Sequence, residues 1–303
     1  MSSKVSDEKP SQFSGKEVEK QPHQEPHQHA TAGLEHAMMQ EPQYDDPEYY
    51  KGSDKLKGKV ALITGGDSGI GRSICVLFAR EGADIAIVYL DKEQKDADLT
   101  KQLIEKEGRK CLLIPGDVTS SAFCKEAVER TIKELKHLDI LVNHAGTQHV
   151  QEDLTQISDE QIEKTFRTNI FAYMYMAREA LHYLPDHTGV IINTTSVTAY
   201  KGKSSLIDYS STKGANTTFT RSLALSLADR GIRVNCVAPG PIWTPLIPST
   251  FSKEMVEEFG KSTPMKRAGQ PFEVATAYVY LASKDSSYVT GQTIHVNGGE
   301  IVE

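Results

Sequence analysis

Tyr209 and Lys213 stand four apart in the run Tyr209-Ser210-Ser211-Thr212-Lys213, and Ser196 lies thirteen positions before the tyrosine. Residues four apart on a helix share a face one turn apart, so this phenol and this ammonium can meet. A free phenol ionises near pH ~10, too high for efficient base catalysis at neutral pH. A neighbouring ammonium favours the phenolate and lowers that value. The pair therefore predicts proton transfer at an oxygen atom, with Tyr209 as general acid/base and Lys213 as its electrostatic partner. Helices carry many such pairs as plain solvated neighbours. Three further features give this one meaning: a glycine-rich turn near residue 65, the run Asn143-His144-Ala145-Gly146, and Asn169. Together they point to hydride transfer between a carbonyl or alcohol and a nicotinamide.

The elements that must position these residues alternate from Lys59 onward. Short apolar runs at 60–63, 85–88, 111–114, 140–142, 190–192, 234–237 and 293–296 fit strands buried on both faces. Helical patterns intervene at about 70–81, 92–108, 120–136, 158–184, 209–230 and 271–283. This alternation predicts an α/β fold with a Rossmann-type, doubly wound parallel sheet of about seven strands. The first strand runs into Thr64-Gly65-Gly66-Asp67-Ser68-Gly69-Ile70-Gly71-Arg72. Glycines at 65, 69 and 71 permit a tight turn and close approach to a pyrophosphate, and the following helix offers free N–H groups and the positive end of its dipole.

Thr-Gly-x-x-x-Gly-Ile-Gly resembles the turn of the short-chain dehydrogenase/reductase family, and the other motifs fall in that family's order from Lys57 to the end. Asp117-Val118 resembles the pair that contacts adenine. Asn143-His144-Ala145-Gly146 is similar to the Asn-Asn-Ala-Gly signature, with His144 replacing the second asparagine and Asn143, Ala145 and Gly146 retained. Asn169, Ser196, Tyr209 and Lys213 match the catalytic quartet. Pro239-Gly240-Pro241-Ile242-Trp243-Thr244 resembles the segment that closes over the nicotinamide carboxamide, which makes Pro239, Gly240, Ile242 and Thr244 cofactor contacts. The Gly66-Asp67-Ser68 turn and the polar N-terminus look most like bacterial general stress proteins and glucose/ribitol dehydrogenase homologues. The resemblance implies that Lys213 also binds the nicotinamide ribose and that Ser196 holds the substrate oxygen. It implies that Asn169 holds a water joining Lys213 to solvent. The assembly it implies is a homotetramer, with helices near 158–184 and 209–230 across one interface and the C-terminal strand across another. The rival reading is a cofactor-binding sensor or scaffold with little turnover.

NAD enzymes place a carboxylate after the second strand, and NADP enzymes place cations there. Here the strand ends Val88-Tyr89-Leu90-Asp91-Lys92, so Tyr89 stands where aspartate is expected and Asp91 lies two further on. Lys92 offers the opposite charge, Asp67 would repel a 2′-phosphate, and Ser68 replaces the Arg or Lys of many NADP enzymes. The balance tips to NAD. The substrate pocket is expected from Thr198 to Tyr200, from Gln148-His149 and from a lid spanning 242–269 with Trp243, Leu246, Ile247 and Phe251.

The chain has 303 residues, 38% hydrophobic and 25% charged, with net charge −7. That suits one globular domain of about 54–303 and favours neither nucleic acid nor an anionic membrane. No apolar run approaches the ~20 residues of a membrane span, and a signal-peptide core is missing. Cys75, Cys111, Cys124 and Cys236 are scattered, which reads as four reduced thiols in a cytoplasmic protein. Residues 1–53 are polar and poor in branched apolar side chains, which predicts a largely disordered arm, and the stretch Tyr44 to Tyr50 is a candidate for contact with a neighbouring subunit. His23, His27, His29 and His36 have no acidic or cysteine ligands spaced to complete a metal site.

Overall fold

A computed structural model describes residues 33–38 and 40–302. Its centre is a seven-stranded sheet, all parallel, in the order β3-β2-β1-β4-β5-β6-β7. The strands are β1 Val60–Thr64, β2 Asp84–Tyr89, β3 Cys111–Pro115, β4 Ile140–Asn143, β5 Val190–Thr194, β6 Arg233–Pro239 and β7 Thr293–Val296. Side chains alternate across the sheet. Ala61 and Ile63 pack with Ile74, Leu77, Val274 and Tyr278 on one face. Leu62 packs with Cys124, Val128, Met176 and Leu227 on the other. Both faces are covered, which is why the strands read as continuous apolar runs.

Three helices carry the first face: α1 Gly69–Arg80, α2 Gln94–Lys106 and α9 Pro271–Ala282. The second face is carried by α3 Ser121–Leu135, α4 Asp159–Phe166, α5 Ala172–Ala180 and α7 Ile207–Leu227. Two short helices, α6 Thr198–Lys201 and α8 Lys253–Glu257, lie near the C-terminal ends of the strands. Local chemistry sets several starts. Ser120 and Ser158 accept the N–H groups of Phe123 and Gln161, and Pro271 opens α9 inside a Gln270/Glu273 capping box.

The helix expected over 158–184 runs unbroken from Asp159 to Ala180 but is not α-helical throughout. Residues Arg167–Phe171 between α4 and α5 form a π-helical turn. A single wide turn of this kind shifts the register of everything after it, and it turns Asn169 fully inward.

Residues 1–32, with His23, His27 and His29, lie outside the described residues. Residues 33–53 pack against their own domain. Asp45 pairs with Arg80 at 2.7 Å, the Tyr50 hydroxyl donates to Glu81, and the Tyr49 and Phe272 rings meet edge to face at 5.0 Å. The stretch Tyr44 to Tyr50 thus packs on α1 and α9 of its own chain. Its composition hides this, because it is held by ion pairs and hydrogen bonds instead of a periodic apolar face.

Candidate active site

The order 3-2-1-4 reverses the winding at β1, and ligands of such sheets bind beyond the strand ends at that reversal. A cavity of about 970 Å³ lies there, at the upper end of the range for small-molecule and cofactor sites. One wall is the turn from β1 into α1. Gly65 has φ +69°, and a Cβ there would sit 3.0 Å from the Ala145 Cα. A Cβ on Gly71 would fall 1.8 Å from the Gly65 carbonyl oxygen, so only glycine lets α1 pack on its own turn. Ser68, the N-cap of α1, makes no side-chain capping bond. The first N–H groups of a helix have no intrahelical partner; that of Gly69 is taken by Glu35 Oε2 at 2.6 Å, while the Gly69 and Ile70 backbone lines the cavity. The wall therefore fits a pyrophosphate.

The chemistry-bearing residues gather at the other end. Ser196, Tyr209 and Lys213 all line the cavity. Ser196 lies two residues past β5, and α7 places Tyr209 and Lys213 on one face. The Ser196 hydroxyl hydrogen-bonds the Tyr209 phenol and accepts from the Thr198 N–H at 3.1 Å. Lys213 Nζ donates to the Thr194 carbonyl at 2.9 Å and lies 5.5 Å from the Tyr209 ring centroid. Asn169 sits just beneath. Its Oδ1 accepts from the Thr147 N–H at 2.8 Å, and its Nδ2 donates to the Thr147 carbonyl at 2.8 Å and to Thr212 Oγ1 at 3.1 Å. Both side-chain atoms are thus committed to holding the loop after β4, and its carbonyl already accepts from Asn216 Nδ2 at 2.9 Å.

Charge states differ from those expected of the isolated pair. Burial pushes the Tyr209 phenol up to about 12, against a lowering effect from the Ser196 hydrogen bond. Burial also pulls the Lys213 amine down to about 7. Desolvation outweighs the mutual stabilisation that the spacing suggests, because both groups lose water together. His144 lines the cavity as well, with Nδ1 3.0 Å from Thr194 Oγ1, which lies 2.7 Å from the Tyr278 hydroxyl. Burial, then the Lys213 charge, pulls His144 down to about 3, so it is a neutral ring anchoring the residue whose carbonyl holds Lys213.

Of the remaining expected residues, Asp67, Tyr89, Asp117, Val118, Ala145, Gly146, Pro239, Gly240, Ile242 and Thr244 line the cavity. Asn143 does not. It is fully buried, and its Nδ2 ties β4 to β5 through Asn193 Oδ1 at 2.9 Å. Asp91 is exposed and outside the cavity, because a 3-10 turn over Asp91–Glu93 directs the chain so that Glu93 faces inward instead. Nothing in the local sequence distinguishes these two acids. Burial first, and then the charge of Asp67, pushes the Glu93 carboxyl upward. In the expected substrate pocket, Gln148, Thr198, Leu246, Ile247 and Phe251 line the cavity, whereas Trp243 is fully buried behind it. The Tyr200 hydroxyl bonds Thr293 at 2.8 Å, away from the site. Among the described residues no cluster of His, Cys, Asp and Glu is placed to hold a metal, and all four cysteines are free thiols.

A family model described as enoyl-(acyl carrier protein) reductase matches residues 65–300. The chain is 58% identical over 270 residues to general stress protein 39 of Bacillus subtilis (strain 168), covering 89% of this chain and 93% of that protein. It is 51% identical over 280 residues to glucose and ribitol dehydrogenase of Daucus carota, covering 91% and 96%. To NADPH-dependent aldehyde reductase 1, chloroplastic, of Arabidopsis thaliana it is 49% identical over 281 residues, covering 91% and 97%. Among solved structures, a short chain dehydrogenase from Burkholderia cenocepacia J2315 in complex with NADP matches with TM-score 0.76 and 29% identity, over 81% of this chain and 98% of that one. The chain belongs to the short-chain dehydrogenase/reductase family. It is an NAD(P)-dependent oxidoreductase that moves a hydride between a nicotinamide and a CH–OH/C=O group.

Proposed function

We propose that this enzyme works mainly as a carbonyl reductase of small aldehydes and sugars with NADP(H) as its preferred cofactor. The observation that carries the reading is the buried, protonated Tyr209 phenol, bonded to Ser196 and facing the same cavity as the N-terminus of α1. When bound, the reduced nicotinamide supplies the hydride. Ser196 orients the substrate oxygen, Tyr209 donates the proton to it, and charged Lys213 stabilises the phenolate left behind. Asn169 keeps the loop after β4 in place, and the second lone pair of its carbonyl is the remaining position for a relay water. The glycine turn, Asp117, Val118 and the segment 239–244 hold the dinucleotide.

The balance of the sequence towards NAD gives way here. It leaned on Asp91, which lies outside the cavity, and on Asp67 and Ser68, which line it; burial pushes the Asp67 carboxyl up to about 6 and raises that of the inward-facing Glu93 as well, which weakens their repulsion of a 2′-phosphate. A relative described as NADPH-dependent and a solved neighbour in complex with NADP support the other choice, and the names of two relatives support the substrate class. The decisive assay follows the nicotinamide absorbance with short aldehydes, glucose and ribitol against both cofactors. We expect kcat/KM to be at least about tenfold higher with NADPH, a difference of about 1.4 kcal/mol. Equal or better efficiency with NADH would overturn the cofactor choice, and binding without any turnover would leave the sensor reading. We further propose residues 54–303 as the catalytic domain, residues 1–53 as an arm, and a cytoplasmic homotetramer as the working assembly. No described helix is long and apolar enough to cross a membrane.

A further inference from the structure

Trp243 is the only tryptophan in the chain and belongs to the lid, yet it turns its back on the cavity. It packs among Met38, Leu206, Ile247 and Phe251, and its Nε1 donates to the Gln40 carbonyl at 3.1 Å. The N-terminal segment therefore holds this lid residue. The same segment touches both walls of the cofactor cleft. At the lid wall, the Gly33 N–H donates to Ser249 Oγ at 3.1 Å. A Cβ on Gly33 would lie 2.9 Å from the Pro245 carbonyl oxygen, so the backbone lies flush on the lid. At the phosphate wall, Glu35 Oε2 accepts the Gly69 N–H at 2.6 Å, and Glu35 Oε1 pairs with Arg72. Arg72 in turn donates to the Asp67 carbonyl at 2.8 Å, in the very turn that lines the cleft. Between the two walls, Asp96 on α2 accepts the N–H groups of Glu35 and His36 at 3.0 and 2.9 Å. Further on, Gln43 is tied to Gln270 at 2.9 Å.

We propose that residues 33–38 and 40–43 form a strap that sets the opening of the cofactor cleft by tying the lid to the phosphate turn, with Glu35 as the positioning residue at the turn. Glu35 does not line the cleft, so it acts on a dinucleotide through Gly69 and Arg72. Both partners of the ion pair are 1% exposed. A buried pair of this kind adds little net stability over an apolar one, and its best-attested use is to fix register. Here it does so: a slip of one residue would set Leu34 or His36 against the guanidinium. The strap lies wholly ahead of the family-matched region, which begins at residue 65, so the shared fold does not require it.

Trp243 makes the strap observable. NADPH is titrated into the full-length protein while Trp243 emission is recorded, alongside thermal unfolding. In Glu35→Ala we expect a red shift of the emission and about tenfold weaker NADPH binding, the loss of one charge-assisted contact. Glu35→Gln keeps an acceptor for the Gly69 N–H and should return affinity to within about threefold of the parent. Met38→Ala loosens only the lid end, and it should red-shift the emission and weaken NADPH binding as well. Unchanged NADPH affinity in Glu35→Ala, with only a lower melting temperature, would overturn the proposal. So would a shifted emission in Met38→Ala without any loss of affinity, because the lid would then move independently of the cleft. If Glu35→Ala fails to fold, the Glu35→Gln and Met38→Ala arms still decide.

Discussion

Lys213 is 3% exposed and shares its pocket with a phenol held in its protonated form. With its amine pulled down to about 7 and the phenol pushed up to about 12 by burial, the two groups give reduction and oxidation opposite pH dependences. Below about pH 7 Lys213 is charged and can stabilise the phenolate formed when Tyr209 gives up its proton; above it, that charge is progressively lost. Carbonyl reduction should therefore be fastest at and below about pH 7 and fall as pH rises through the Lys213 value, while alcohol oxidation, which needs the phenolate, should rise with pH. Paired pH–rate profiles test this, and a reduction rate that climbs through neutrality would reverse the assignment. Tyr209→Phe should lower kcat by about 10²–10⁴-fold in both directions and leave cofactor affinity nearly intact; undiminished turnover would remove Tyr209 from the chemistry. The residue types and spacings behind these statements are readable in the chain. The charge states are not, because they depend on how much water the fold removes from each group.

At the scale of elements, the strand and helix pattern carries over closely because both faces of the sheet are buried and every strand must be apolar. The turn from β1 into α1 is the element on which cofactor binding depends. Adding one methyl at Gly71 would drive it to within 1.8 Å of the Gly65 carbonyl oxygen. Such overpacking costs about 1–3 kcal/mol, and here the strain falls on the phosphate-binding backbone. Gly71→Ala should therefore weaken NADPH binding by tenfold or more and lower the melting temperature by several degrees, as titration and calorimetry would show. Intact affinity would mean the turn can relax. The π-helical turn at Arg167–Phe171 is invisible to a pattern of 3.6-residue periodicity, since it adds a residue to a turn without changing composition. Asp91 and Glu93 show the same limit: a short 3-10 turn decides which of them faces the cavity.

Across the whole molecule, exposed Phe171, Met174 and Leu225 lie on the helices expected at one subunit interface, and exposed Met265, Tyr288 and Val302 lie towards the C-terminus. The proposed tetramer would cover these side chains. Light scattering on the purified chain should return four times the 33.5 kDa protomer. Leu225→Glu, at 81% exposure in the monomer, should lower the assembly state without unfolding the subunit; a stable parent monomer would rule the tetramer out. The sequence by itself determined the family and the order of strands and helices, and it singled out the residues proposed for proton transfer, because these are written in local spacing and in periodic burial. Tertiary structure alone decided that His144 anchors the Lys213 site through Thr194, that Trp243 faces the N-terminal segment, and that Glu35 reaches the phosphate turn. Each of these joins residues far apart in the chain through one or two directional contacts, and such contacts leave no period in the sequence to be read.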